Sequence, residues 1–149
     1  GDDVGLTAVA EDIDAFEILS SGAVVISTTG NPDVPGITGE ADEDLLQCAG
    51  TFGPTTSCAW SYYLDGDDAG VGLAATSEDV DGAAVKSGAI YLTTLDAFSV
   101  PGGLSGGGED VFTCNSPVTG PTSSCGGFSL FFDGSAVGVN NNLDAIDVP

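Results

Sequence analysis

The stretch that decides the fold is Ser21-Gly22-Ala23-Val24-Val25-Ile26-Ser27-Thr28-Thr29, which returns 66 residues later as Ser87-Gly88-Ala89-Ile90-Tyr91-Leu92-Thr93-Thr94. Each copy joins a Ser-Gly turn signal to β-branched and aromatic residues, which is typical of a strand that leaves a tight hairpin. Flanking segments match in the same order: residues 11–14 with 78–81, 34–36 with 100–102, 43–48 with 109–114, 53–58 with 120–125, and 61–66 with 129–134. The chain is therefore a tandem repeat, and the fold of one repeat decides the fold of the whole.

Two complete repeats, residues 1–66 and 67–134, precede a partial third repeat at residues 135–149. The third copy is recognisable because Val137-Gly138-Val139 and Asn142-Leu143-Asp144-Ala145-Ile146 repeat Val4-Gly5-Leu6 and Asp12-Ile13-Asp14-Ala15-Phe16. The chain thus holds two repeats and the opening of another.

Each complete repeat is predicted to form four β-strands. Short segments rich in Val, Ile, Phe, Tyr and Thr alternate with Gly, Pro, Asp and Ser, and no window has the 3.6-residue apolar period of a helix. The predicted strands are residues 12–19, 23–29, 43–49 and 58–64, then 79–85, 89–95, 109–115 and 126–132. This pattern predicts an all-β fold of two four-stranded antiparallel repeats, each resembling a propeller blade, plus the partial third. Two blades cannot close a propeller, so we expect a longer array, association with other chains, or a sandwich.

The charge balance excludes several classes of function. The 149 residues contain one Lys, no Arg, no His, and 23 Asp and Glu, and the formal net charge is −22. Such a surface repels nucleic acid and anionic membranes, which we exclude as partners. Without His or Arg, the usual general base and the bidentate anion clamp are missing, so we predict that the chain is not an enzyme. A hydrophobic fraction of 42% still predicts a folded protein.

The four cysteines follow the repeat. Cys48 and Cys58 lie ten residues apart, Cys114 and Cys125 lie eleven apart, and each pair brackets a Gly-Pro-Thr loop. Four cysteines allow three pairings, and the repeat favours one disulfide within each copy. A zinc site is the alternative, although its cysteines are usually closer in sequence. Disulfides indicate an oxidising compartment, so we expect an extracellular or cell-surface location.

Clustered carboxylates are the candidate ligands of a cation. Two acidic residues that are two positions apart on a strand point to the same face, and further acidic residues lie in short loops. Carboxylate oxygens suit Ca²⁺, which takes six to eight oxygen ligands. The predicted ligands are Asp12, Asp14, Asp79, Asp81, Asp65, Asp67, Asp133 and Asp144. The alternative is a solvated acidic surface that keeps the protein soluble.

A resemblance accompanies these motifs. The segment Phe128-Ser129-Leu130-Phe131-Phe132-Asp133-Gly134-Ser135-Ala136-Val137-Gly138, with the Glu-Asp-Ile-Asp-Ala-Phe, Val-Pro-Gly and Glu-Asp-Val-Phe motifs, resembles a repeat of uncharacterised secreted bacterial proteins. The resemblance covers nearly the whole chain and implies an extracytoplasmic, propeller-like β repeat without an established activity. The chain departs from that pattern at Gly82-Ala83-Ala84, where a larger apolar residue is expected, and by carrying Cys in both copies.

The partial third repeat indicates a function. Its apolar residues Leu143, Ala145, Ile146 and Val148 belong to a first strand that lacks the three strands normally following it. Natural proteins rarely leave such a strand exposed, so we expect it to pair with its own chain or with the next copy. Pairing with the next copy gives a head-to-tail polymer. We therefore predict an extracellular structural protein that assembles with itself into a filament or similar polymer.

A secreted propeller-type binding module is the alternative function. Trp60, Tyr62 and Tyr63 form an aromatic run that could stack on the rings of a carbohydrate or contact a surface partner. Their counterparts Leu130 and Phe131 in the second repeat favour packing over ligand binding.

Overall fold

Two four-stranded antiparallel sheets and a short hairpin make up the computed structural model, which describes residues 2–149. The first sheet is a meander whose neighbours in space are also neighbours in sequence: β1 (Ile13–Ile18), β2 (Val24–Thr28), β3 (Leu45–Thr51) and β4 (Ser57–Leu64). Gly22 allows the tight turn between β1 and β2, because its φ of 85° lies in the left-handed region that favours glycine.

The second sheet has the same connectivity with one insertion. The strands of this part are β5 (Val80–Lys86), β6 (Ala89–Thr94), β7 (Phe98–Val100), β8 (Leu104–Gly106), β9 (Val111–Asn115) and β10 (Gly127–Phe132). Strands β5, β6, β9 and β10 form the meander, and β7 and β8 form a separate hairpin between β6 and β9.

The prediction of an all-β fold with antiparallel sheets is confirmed. Each of the eight predicted strands overlaps one strand of the two meanders. Among residues 2–149, helical structure is limited to short 3₁₀ turns, and none of these could cross a membrane. The described strands close neither a barrel nor a propeller.

Two local expectations differ from the structure. The hairpin of β7 and β8 was not predicted, because two strands of three residues each are too short to show an alternating pattern. Residues 142–148 were predicted as a first strand, but they pair with no strand in the described chain. This segment instead lies against the second sheet through the contacts described below.

The main core lies between the two sheets. Strand β5 packs against β1, and the side chains from both sheets form one buried cluster. The first sheet contributes Ala15, Val25, Leu45 and Leu64, and the second contributes Ala83, Ile90, Leu92 and Phe112. The ring of Phe98 stacks on that of Phe112 with a centroid distance of 4.0 Å, which anchors the short hairpin to the core.

Candidate functional sites

Both predicted disulfides are present. Cys48 pairs with Cys58 and Cys114 pairs with Cys125, with Cα–Cα distances of 4.9 and 5.2 Å. Cys48 and Cys114 are buried at equivalent positions of β3 and β9. The two bridges fit a non-reducing environment.

An apolar groove runs along the outer face of the first sheet. We call it the outer groove; it has a volume of about 370 Å³, and its walls include Val4, Phe16, Ile18, Val24, Phe52 and Trp60. Large parts of two walls are open to solvent, since Phe16 is 56% exposed and Ile18 is 60% exposed. Leu6 and Ile26 line the groove and belong to a second buried cluster that also contains Val34 and Leu46. Contiguous exposed apolar surface of this kind usually marks an interaction site.

The same face of the second sheet is covered. In the first sheet Phe16 pairs with Ile26 and Ile18 with Val24, and in the second sheet the pairs Ala83–Leu92 and Val85–Ile90 occupy the corresponding positions. Those four residues of the second sheet contact the main core, where the first sheet covers them. The outer groove is therefore the counterpart of a surface that is buried inside the same molecule.

An acidic junction lies where β1 and β5 begin; we use this name for Asp14, Asp42, Asp79 and Asp81. Asp79 is 5% exposed and Asp81 is 8% exposed. The strand pairing is irregular around Asp14 and around Asp81, and such bulges redirect side chains. The buried atoms Asp14 Oδ2 and Asp79 Oδ1 have no hydrogen-bond partner among the described residues.

Burial and mutual repulsion make Asp14 and Asp79 hard to ionise. Burial, with smaller contributions from the charges of Asp81 and Asp42, raises the pKa of Asp14 to about 7. Burial likewise raises the pKa of Asp79 to about 7, with added repulsion from Asp14, Asp42 and Asp81. Lys86, the single basic side chain, is exposed at the far end of β5. Because the pKa values of Asp14 and Asp79 are about 7, both groups are partly protonated at neutral pH, which reduces the charge buried in the junction.

The predicted cation ligands do not form a finished site. Among residues 2–149, no group of three acidic or thiol side chains has an arrangement that could hold a metal ion. The structure brings Asp14, Asp79 and Asp81 into one region, whereas Asp12 is exposed and precedes β1. Asp12 immediately precedes β1 and is exposed, whereas Asp14 lies within β1 and is half-buried, so the two carboxyl groups have different surroundings.

The remaining predicted ligands lie in turns. Burial raises the pKa of Asp65 to about 7, and a hydrogen bond with Asp67 adds to the shift. Asp133 is exposed, and its Oδ1 accepts hydrogen bonds from the Ser135 hydroxyl and the Ala136 N–H. Asp144 is exposed and accepts a hydrogen bond from the Asn142 side chain. Asp133 therefore has a local structural role, because its carboxylate bonds two residues of the 3₁₀ turn at Ser135–Val137.

The aromatic run braces loops and the core. The Trp60 Nε1–H donates to the Val4 carbonyl oxygen at 2.9 Å, and the Tyr62 hydroxyl donates to the Thr38 carbonyl oxygen at 3.1 Å. Tyr63 packs against the main core. Only the indole of Trp60 contributes to the wall of the outer groove.

The terminal segment, residues 142–148, lies on the outer side of the second sheet. The Leu143 N–H donates to the Gly108 carbonyl oxygen at 3.0 Å, and the Thr93 hydroxyl donates to the Leu143 carbonyl oxygen at 2.9 Å. Val148 is buried, Ile146 is half-buried, and Ala145 is exposed. The structure thus places the four predicted assembly residues in contact with, or close to, their own chain.

Two buried glutamates hold the loops before each sheet, and the sequence reasoning missed this role. Glu11 accepts hydrogen bonds from the backbone N–H groups of Thr7, Ala8 and Asp33. Glu78 makes the equivalent bonds with the N–H groups of three residues, Ala74, Ala75 and Ser99. The signal was present in the sequence, because both glutamates occupy the same place in the repeat.

In each repeat, one further carboxylate joins the third strand of the meander to the residues after the fourth strand. Asp44 accepts hydrogen bonds from the N–H groups of Ala41 and Gly66. Asp110 accepts them from Gly107 and Gly134. These bonds tie the start of the third strand in each meander to the residues that follow the fourth.

No family model, curated protein or solved structure matches this chain.

Proposed function

We propose that this chain is an extracellular structural subunit that assembles head to tail with further copies into a filament or similar polymer. The observation that carries the proposal is the uncovered outer groove of the first sheet. Within one molecule, the equivalent face of the second sheet is buried by a neighbouring sheet. A neighbouring copy would cover the groove in the same way.

The contact that follows is heterologous. The groove belongs to the first sheet, and the sheet that would cover it by repetition of the internal packing is the second sheet of another copy. Contacts between two different faces give rings when they close and open polymers when they do not. An array of this kind continues the sheet-on-sheet packing of one molecule from copy to copy.

Cations are part of the proposal because every copy is strongly acidic. At a formal net charge of −22, adjacent copies repel each other unless counter-ions accumulate between them. Ca²⁺ is the candidate ion, since its preferred ligands are carboxylate oxygens. The acidic junction is not a ready-made metal site among the described residues, but the unpartnered oxygens of Asp14 and Asp79 support it as the place where such an ion would bind once the carboxylates rearrange.

The location follows from the disulfides. Both bridges favour an extracellular or cell-surface setting over a reducing cytosol. The resemblance to repeats of secreted bacterial proteins agrees with that setting and is part of the proposal.

The test is self-association measured by light scattering after size exclusion, with electron microscopy of the same samples, in buffers containing CaCl₂. The double variant Phe16→Ser, Ile18→Ser should lose the assembly because both side chains are exposed in the groove. Val118→Ser is the matched control, since Val118 is exposed at 58% but does not line the groove. A wild-type chain that stays monomeric at high concentration with Ca²⁺ present contradicts the proposal.

The alternative function is a binding module, and Trp60 in the groove wall is the observation in its favour. An indole beside Phe16 and Phe52 offers a surface on which a sugar ring can stack. Titration of the monomer with oligosaccharides, followed by Trp60 fluorescence, tests this function. Saturable binding by a chain that does not self-associate would favour the module over the structural subunit.

A further inference from the structure

The terminal segment repeats the first strand of the first sheet. Residues Leu143-Asp144-Ala145-Ile146-Asp147-Val148 match Ile13-Asp14-Ala15-Phe16-Glu17-Ile18 position by position, with an apolar or acidic residue at each place. The match extends over the full length of β1. The segment therefore carries the side-chain pattern of a strand that opens a repeat.

The terminal segment also lies on the second sheet where a strand that opens the next repeat is expected to lie. Strand β5 opens the second repeat and packs against the first sheet, where the Val80 N–H donates to the Asp42 carbonyl oxygen. On the second sheet, the Leu143 N–H donates to the carbonyl oxygen of Gly108, the residue that corresponds to Asp42. We call this place on the second sheet the docking position.

Close packing against β5 explains why this strand has a glycine. A Cβ added at Gly82 would lie 3.4 Å from the Ala145 Cα and 3.5 Å from the Ile146 nitrogen. It would also lie 2.8 Å from the Thr93 hydroxyl oxygen. The terminal segment is thus in backbone contact with β5, and a strand of another molecule cannot occupy the same place at the same time.

The segment has fewer contacts than a strand inside a sheet. It forms no ladder with any strand of the described chain, its hydrogen bonds to the second sheet are the two of Leu143 and one from the Asn142 side chain to Asp81, and Val148 is the one member of its apolar set that is fully buried. Strand β1, in contrast, belongs to a complete sheet, and its own side chains Phe16 and Ile18 are exposed in the outer groove. A second copy can therefore replace the segment with a larger apolar contact.

We propose that the docking position on the second sheet receives the first sheet of a second copy, and that the terminal segment competes for this position within its own chain. The inference rests on the proposed function, since it names the surface that covers the outer groove. It also makes assembly conditional: the terminal segment must leave before a second copy binds. Continuity with the internal packing of β5 on β1 identifies the occupant as another copy of this chain.

The test uses full-length variants that loosen the segment without altering either sheet. Val148→Ser removes its buried apolar side chain, and Leu143→Pro removes the N–H that bonds Gly108. Val137→Ser is the control, because Val137 is 67% exposed and precedes the segment. If the segment occupies the position about nine-tenths of the time, loosening it lowers the apparent dissociation constant about tenfold, since binding scales with the competent fraction.

Sedimentation equilibrium in CaCl₂ measures the association of all four proteins, and near-ultraviolet circular dichroism verifies their folding. Stronger association of V148S and L143P, but not of V137S, supports the inference. A synthetic peptide of residues 141–149 should then weaken the association of V148S. Unchanged or weaker association of both segment variants overturns the competition while leaving head-to-tail assembly intact. Absence of association in every protein, wild type included, overturns the proposed function itself.

Discussion

The acidic junction should make the protein less stable as the pH rises from 5 to 8. Burial raises the pKa of Asp14 and of Asp79 from 3.8 to about 7 in the folded protein. In the unfolded chain both groups return to their ordinary pKa and are ionised throughout this range. The folded state then binds more protons than the unfolded state, so the free energy of unfolding decreases with increasing pH. This dependence of stability on pH has the opposite sign to that of a carboxylate held in an ion pair, which stabilises the fold more as the pH rises.

The magnitude follows from the two pKa values. One pKa unit corresponds to about 1.4 kcal/mol, and a group whose folded pKa is about 7 differs in protonation from the unfolded chain over roughly two pH units of this range, so one isolated group gives about 2.6 kcal/mol between pH 5 and pH 8. The two shifts do not add, because each group contributes to the other and ionisation of one changes the pKa of its neighbour. Water also screens Asp14, which is only half-buried. We therefore expect the junction to contribute a loss of about 2–4 kcal/mol between pH 5 and pH 8, beside that of carboxyl groups elsewhere with a raised pKa, such as Asp65.

Urea unfolding followed by Trp60 fluorescence measures this loss, at constant ionic strength and with a chelator present. Asp79→Asn should raise the free energy of unfolding at pH 8 and reduce its dependence on pH, because the amide carries no charge to bury. Asp12→Asn is the control, since Asp12 is exposed and the substitution changes the net charge equally. Comparing the two variants separates the junction from the general repulsion of an acidic protein.

A free energy of unfolding that is constant or rises from pH 5 to pH 8 refutes the reasoning, as does an equal effect of the two Asn variants. The series stops at pH 5 because Glu11 acts in the opposite direction. Hydrogen bonds from backbone N–H groups, those of Ala8 and Asp33 foremost, lower the pKa of Glu11. Its stabilising contribution is therefore lost only at lower pH.

Three further predictions concern the cation, the buried glutamates and the disulfides. At pH 8, CaCl₂ should raise the Tm more than NaCl of matched ionic strength, and Asp79→Asn should reduce the difference; equal effects of both salts would mean that the carboxylates form only a diffuse acidic surface. Glu78→Gln should lower the free energy of unfolding in urea by about 2–3 kcal/mol, because the amide cannot accept all three backbone hydrogen bonds. The matched control is Glu109→Gln, which should have little effect because the Glu109 side chain makes no such bonds in the described chain. Replacing Cys114 and Cys125 by Ala should cost about 3 kcal/mol, as expected for opening a loop of this size, and an unchanged urea midpoint would contradict that role.

The strands could be predicted from the sequence because the repeat supplied each pattern twice. The Ser-Gly turn and the apolar run after it recur in both copies, and both became a hairpin with β2 or β6 as its second strand. The cysteine pairing was predictable for the same reason. The β7–β8 hairpin was not, because only Phe98, Val100 and Leu104 distinguish it from a polar loop and its anchor is a ring stacked across the core.

The candidate sites depend on information that a sequence carries only indirectly. Acidic residues can be counted, but whether a carboxyl group faces water or the junction is decided by packing, as the contrast between Asp12 and Asp79 demonstrates. Glu11 and Glu78 looked like ordinary members of an acidic surface, and their backbone partners come from segments up to 22 residues away. The exposure of Phe16 could not be inferred either, since its counterpart Ala83 is buried in the same fold.

The two ends of the molecule differ although the repeats are alike, and that difference gives any assembly a direction. No sheet of the described chain covers the outer groove of the first sheet. On the second sheet, the terminal segment occupies the position that corresponds to the place of β5 on the first sheet. If copies assemble as proposed, an open groove binds a docking position only after the terminal segment has left it. Growth of a polymer would then be limited by release of this segment, and each added copy would present the same covered position to the next.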